Sequence, residues 1–179
     1  MPTRVGTLGN ESPIPELLAQ LATTHLLQTE RLQAQLHIAD ARQTIVQVYN
    51  RGFRADAIFL DPFSPPHCPG LWTVEFLDLV AKCLGPSGKL ATYSSAAAVR
   101  KALLLAELKI GSVPPVGRRS PSTVASRIDK HLPPLSPQER EHLLTRAAIP
   151  YRDPNLSDSA EVIIQRRHRE QEASRSGSS

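Results

Sequence analysis

Residues 56–61, Asp-Ala-Ile-Phe-Leu-Asp, are a short continuous apolar run closed by an acid at each end, and Pro62, Pro65, Pro66 and Pro69 follow at once. A continuous run of this length reads as a central parallel strand covered on both faces, not as an alternating, half-exposed one. Prolines fix φ and remove backbone donors, so the chain after Asp61 is a stiff, shaped loop. In open α/β sheets, ligands bind beyond the carboxyl ends of the strands, where this loop would lie. It carries Phe63 and leads to Trp72, in a chain with only 4% aromatic residues. A carboxylate and an aromatic ring on one rigid loop suit a planar, polar or cationic ligand. The competing structural reading is a stiff helix entry with Phe63 and Trp72 buried, and the residues alone leave both open.

The flanking sequence supplies the rest of such a sheet. Leu17, Leu18, Leu21, Ala22 and Leu26 recur at helical spacing from Ile14, which predicts an amphipathic helix over 14–32. A short strand is expected at 36–39 and a helix at 41–49, with Gly52 as its stop. Helical periodicity resumes over 71–84, where Gly85-Pro86 and Ser87-Gly88 break and turn the chain. A strand over 89–94 and an alanine- and leucine-rich helix over 96–108 follow. Strand, helix, strand, helix is the signature of right-handed crossovers in a doubly wound sheet. Two extended pieces, 109–113 and 123–128, form a hairpin around a proline-rich connection. Ser136-Pro137-Gln138-Glu139 is a capping-box start, and Asp158-Ser159-Ala160-Glu161 opens a second terminal helix. The expected organisation is a loose arm (1–12), a partial sheet domain (13–130), a helical extension (131–172) and a disordered tail (173–179).

Composition excludes several classes. A 40% hydrophobic content fills a core, yet no apolar run reaches the roughly 20 residues of a membrane span. Cys68 and Cys83 have no CxxC spacing and read as reduced thiols of a cytoplasmic protein. His67 and Cys68 have no second pair to complete a metal site, so no metal is expected. The net charge of +4 suits an RNA partner without requiring one. In the run Arg166-Arg167-His168-Arg169 a solvated helix face competes with phosphate contact.

Three polar positions fall at strand ends: Asp40, Asp61 and the group Thr92-Tyr93-Ser94. Asp40 precedes a helix, where N-capping and ligand contact are equally consistent with the sequence. No nucleophile-elbow sequence surrounds Ser94 or Ser95.

Two blocks carry a resemblance. Phe59-Leu60-Asp61-Pro62-Phe63-Ser64-Pro65, Pro69 and Leu71-Trp72-Thr73 form the first, and Leu90-Ala91-Thr92-Tyr93-Ser94, Ala96, Val99-Arg100 and Leu103 the second. A third is partial: Pro114, Gly117, Arg118 and Thr123-Val124-Ala125 fit, whereas Ser120-Pro121-Ser122 stands where the family has a basic-acidic-Met stretch. Over residues 36–128 the chain resembles the methyltransferase half of the tRNA 5-methylaminomethyl-2-thiouridine biosynthesis bifunctional proteins. The resemblance implies the C-terminal part of a Rossmann-like, class I S-adenosylmethionine-dependent methyltransferase sheet with a helical C-terminal extension. It implies methyl transfer from S-adenosyl-L-methionine to the aminomethyl nitrogen of a modified wobble uridine, with tRNA as partner. Asp61 is then the catalytic carboxylate, Asp40 and Ala41 hold the cofactor's adenine, and Phe63, Ser64, Tyr93 and Arg118 meet the substrate.

Two departures qualify this. The flavin-dependent oxidase half is absent, so no FAD is expected. The family's glycine-rich loop and ribose-binding acid belong before Ile14 and are not found there, which implies a domain shortened by its first two strands. Such a chain is expected to hold the cofactor poorly and to self-associate through an exposed strand edge. The rival readings are a non-catalytic remnant that binds RNA or a partner protein, and an unrelated α/β nucleotide-binding module.

Overall fold

The computed structural model describes residues 14–117, 119–128 and 131–176. The chain divides into two compact units, residues 1–39 and 40–179. In the first, α1 (Ile14–Thr24) is followed by an antiparallel pair, β1 (Leu26–Gln28) and β2 (Gln33–Gln35), with Leu26 opposite Gln35. The helix expected to 32 stops eight residues early. His25 takes the left-handed conformation (φ 58°), and Thr24 Oγ1 turns to the Leu26 carbonyl. Thr29 closes the β1–β2 turn by accepting from the Leu32 N–H. No strand forms at 36–39.

The second unit opens with α2 (Ala41–Asn50), capped by Asp40 and terminated by Gly52 at φ 74°. Then come β3 (Ala55–Phe59), a 3-10 turn (Pro69–Trp72), α3 (Val74–Lys82), β4 (Leu84–Thr92) and α4 (Ala97–Leu105). The hairpin β5 (Lys109–Val113) and β6 (Ser122–Ser126) completes a sheet of order β3-β4-β6-β5. The β3–β4 pair is parallel; β4–β6 and β5–β6 are antiparallel. This is the mixed α/β sheet expected. Its core gathers Trp72, Leu77, Leu90, Val99, Leu103, Leu108, Ala125 and Ile163, each 0–1% exposed.

Two local expectations fail for identifiable reasons. Gly85-Pro86-Ser87-Gly88, expected as a turn between elements, lies inside β4. The register jumps from Ala55 opposite Leu84 to Ala57 opposite Lys89, so the four residues form an irregularity in a continuing strand. Gly88 permits it, since a Cβ there would sit 2.6 Å from the Ala55 carbonyl oxygen. The second failure is β3. It is an edge strand among the described residues, and Asp56, Ala57 and Phe59 are exposed, Phe59 by 83%. An apolar run registers only the preference for burial; coverage of both faces needs neighbours that the described residues do not supply.

After β6, α5 (Pro137–His142) starts on the full capping box: Ser136 Oγ accepts from the Glu139 N–H, and Glu139 accepts from the Ser136 N–H. A 3-10 turn (Arg146–Ala148) leads to α6 (Ala160–Ser176), which continues four residues past the expected end at 172. No described helix is long and apolar enough to cross a membrane.

Candidate active site

The carboxyl ends of β3 and β4 bring Asp61 and Tyr93 into one concavity of about 290 Å³, lined also by Phe59, Leu60, Thr92 and Ser122. Its shape depends on how the proline loop is held. Tyr93 Oη donates to the Pro62 carbonyl at 3.0 Å, and Trp72 Nε1 donates to the Phe63 carbonyl at 2.8 Å. The two rings meet edge to face, 6.1 Å apart, with Trp72 fully buried. The two carbonyls that follow Asp61 are thus tied to Tyr93 and Trp72, and Asp61 leads into a fixed backbone. Each such bond contributes about 1 kcal/mol net, and orphaning the buried donor costs about 1–3.

The aromatic residues therefore separate. Trp72 is buried as the structural reading required, but Phe63 is 81% exposed and Phe59 83%. Three of the chain's four phenylalanines, Phe53, Phe59 and Phe63, are more than half exposed, and two of them flank Asp61 in sequence. Of the three, Phe59 lines the concavity. Ser64 turns away from this role locally: its Oγ pairs with His67 Nδ1 at 2.8 Å, and its carbonyl accepts from the His67 and Cys68 N–H groups. Thr92 and Ser94 are buried parts of the β4–α4 turn, where the Ser94 carbonyl accepts from Thr123 Oγ1. Arg118 lies outside the described residues.

Asp40 forms the N-cap that the sequence allowed, and its carboxylate does more besides. Its Oδ1 accepts from the Arg42 N–H at 2.9 Å, and both carboxylate oxygens are gripped by the Arg42 guanidinium, closest at 2.8 Å. The Arg42 bond holds the Asp40 carboxyl below its ordinary value, against burial that would raise it. The carboxylate remains 43% exposed, so acceptor capacity is left over. Ala41 opens α2, where backbone N–H groups leave the helix end.

Arg42 was not singled out by sequence reasoning, yet it links three segments. Its Nη1 pairs with the fully buried Asp153 at 2.9 Å, and its Cδ lies 3.4 Å from where a Cβ on Gly70 would sit. Asp153 in turn accepts the Ser157 and Asp158 N–H groups. A second network was also missed. Arg100, 2% exposed, donates to Thr123, Ser112 and Glu139 and clamps α4 and α5 to the hairpin. The Val99-Arg100 match was the available signal, because a buried arginine needs a partner. Among the described residues no cluster could hold a metal, and both cysteines are free.

Residues 10–128 match the model of an S-adenosyl-L-methionine-dependent methyltransferase family. An uncharacterized protein of Methanocaldococcus jannaschii, MJ0670, is 33% identical over 76% of this chain and 38% of its own length. The tRNA 5-methylaminomethyl-2-thiouridine biosynthesis bifunctional protein MnmC of Paraburkholderia phymatum is 34% identical over 63% of this chain and 18% of its own. The crystal structure of MnmC2 from Aquifex aeolicus superposes with a TM-score of 0.76 at 37% identity, over 84% of this chain and 48% of that one. The chain thus spans less than half the length of each of these relatives.

Proposed function

The chain belongs to the S-adenosyl-L-methionine-dependent methyltransferase family that its residues 10–128 match, and on that premise we propose that it methylates the aminomethyl nitrogen of a modified wobble uridine in tRNA. The observation that carries the reading is the concavity uniting Asp61 and Tyr93 at the carboxyl ends of parallel β3 and β4. The relatives' names supply the substrate class.

An amine attacks only as the neutral base with its lone pair aligned, so catalysis is chiefly positioning and desolvation. Asp61, on its tethered loop, accepts an amine N–H, aims the lone pair and stabilises the cation formed on nitrogen. Phe63, with its ring free and its carbonyl fixed by Trp72, covers the substrate. Tyr93 shapes the opposite wall, Ser64 keeps the loop turned, and Arg118 is assigned to substrate phosphate. S-adenosylmethionine, when bound, supplies an electrophilic methyl group. Asp40 fits its adenine amino group through the exposed side of its carboxylate, and the Ala41 N–H fits a ring nitrogen. The fit is confined to that end, because among the described residues no glycine-rich turn joins a strand to a helix. The reading places the chain in the cytoplasm with tRNA as partner and needs neither metal nor FAD.

The test is Asp61→Asn, which keeps shape and one acceptor while removing the charge. Methyl transfer to tRNA should fall at least about tenfold in kcat, or about 1.4 kcal/mol of barrier. A variant as fast as wild type would make Asp61 structural. A second reading, a non-catalytic module, is favoured by the outer edge of β3, unpaired among the described residues, with Phe59 exposed on it. Pairing with a second copy would cover that edge. Concentration-dependent mass by light scattering, lost on Phe59→Ser, supports it; a monomer at all concentrations rejects it.

A further inference from the structure

A groove of about 560 Å³ opens among α4, the 3-10 turn Arg146–Ala148 and the end of α6, apart from the Asp61 concavity. Three cations line it, Lys101, Arg146 and Arg175, and among the described residues no carboxylate does. Leu143 and Leu144 add an apolar side, Leu144 being 89% exposed. Each cation comes from a different element, and those elements are fastened together. On α6, Arg167, Gln171 and Arg175 recur every four residues and so share one face. Arg167 donates to the Ile149 and Ala147 carbonyls and stacks over Tyr151, 4.6 Å from its ring centre. Gln171 donates to the Arg146 carbonyl at 3.0 Å. The Arg146, Ala147 and Ile149 carbonyl oxygens, which would soften the positive field, are therefore already engaged by α6.

Placement gives the groove its meaning. Ser122 lines the Asp61 concavity, and its neighbour Pro121 lines a smaller pocket with Ser95, Ala97 and Arg100. Lys101 follows Arg100 directly and stands one helical turn, about 6 Å, beyond Ala97. His142 lines the smaller pocket and Leu143 the groove. The smaller pocket thus has a lining residue next in sequence to one of each of the other two, Pro121 beside Ser122 of the concavity and Arg100 beside Lys101 of the groove.

We propose that this groove binds the phosphate backbone of the RNA whose modified nucleotide occupies the Asp61 concavity, an inference that rests on the tRNA reading above. A groove lined by three cations on fastened elements suits a phosphate chain, since sequence-independent RNA affinity comes from lysine and arginine contacts with displacement of counterions. An acidic protein segment is the competing occupant.

The test compares wild type with the triple variant Lys101→Gln/Arg146→Gln/Arg175→Gln and with a control of equal charge, Arg51→Gln/Lys89→Gln/Lys109→Gln. Binding of fluorescent tRNA is followed by anisotropy between about 50 and 200 mM salt. The groove variant should lose at least tenfold in affinity at low salt, and its log–log salt slope should become shallower by about 2–3 for three lost phosphate contacts. The control should keep the wild-type slope, and all three proteins should melt alike. An unchanged slope in the groove variant, equal losses in both variants, or no tRNA binding by wild type overturns the proposal. So does equally tight, groove-dependent binding of polyglutamate. If tRNA binds through the groove but no methyl group is ever transferred, the groove assignment stands and the methyltransferase reading falls.

Discussion

Replacing Glu139 with glutamine isolates the charge in the network that holds α5 against the sheet. Glutamine can still accept from the Ser136 N–H, so the capping box survives, but nothing then balances Arg100, whose side chain is 3% exposed. Burial alone would raise the Glu139 carboxyl. The Ser112 hydroxyl at 2.6 Å, the Ser136 N–H and the Arg100 guanidinium at 2.8 Å overcome it and bring the group from 4.5 down to about 2. Each tenfold change in proton affinity is about 1.4 kcal/mol, so the full linkage is about 3.4 kcal/mol; discounting for a side chain 19% exposed leaves about 3. A depressed carboxyl stabilises the fold above its unfolded value and loses that stabilisation as pH falls through its folded value. About 3 kcal/mol should therefore separate wild type from Glu139→Gln at pH 7, and roughly 2 of it should disappear between pH 5 and 3. Urea denaturation of both proteins at pH 7, 5, 4 and 3 measures the gap. A gap that stays constant across this range, or one below about 0.5 kcal/mol at pH 7, refutes the reasoning.

Two further outcomes follow from the loop and from the adenine end. Tyr93→Phe removes the hydroxyl that bonds the Pro62 carbonyl; stability should fall by about 1 kcal/mol, a shift of about 2–4 °C in melting temperature. Methyl transfer should fall further than that loss explains, and full activity would confine Tyr93 to folding. Calorimetric titration of the chain with S-adenosylmethionine should give a Kd no tighter than about 1 mM, since only Asp40 and Ala41 are assigned to the cofactor; micromolar binding would show that a further cradle exists.

What the sequence made legible was whatever is decided locally. The Ser136–Glu139 box, the Gly52 stop and the β5–β6 hairpin rest on neighbouring residues, and all three form. Asp61 at a strand end was legible too, through the run before it and the prolines after it. What escaped was set by partners distant in the chain. Whether β3 is covered depends on strands beside it, so an apolar run was read as buried although Phe59 is exposed. Arg42 and Asp153 are 111 residues apart, and neither has a local pattern to betray the pair. The helix predicted to 32 failed on His25, where a left-handed backbone carried by a non-glycine residue left no mark in the periodicity.

The proposal that this chain methylates tRNA at the Asp61 concavity meets its most direct test in the product. Wild-type chain would be incubated at millimolar S-adenosylmethionine with tRNA carrying the unmethylated aminomethyl-2-thiouridine, followed by digestion and mass spectrometry of the nucleosides. The account predicts one added methyl group on that nucleoside, on the aminomethyl nitrogen. Unchanged nucleoside under conditions where tRNA and cofactor are both bound, or a methyl group elsewhere on the tRNA, would contradict it.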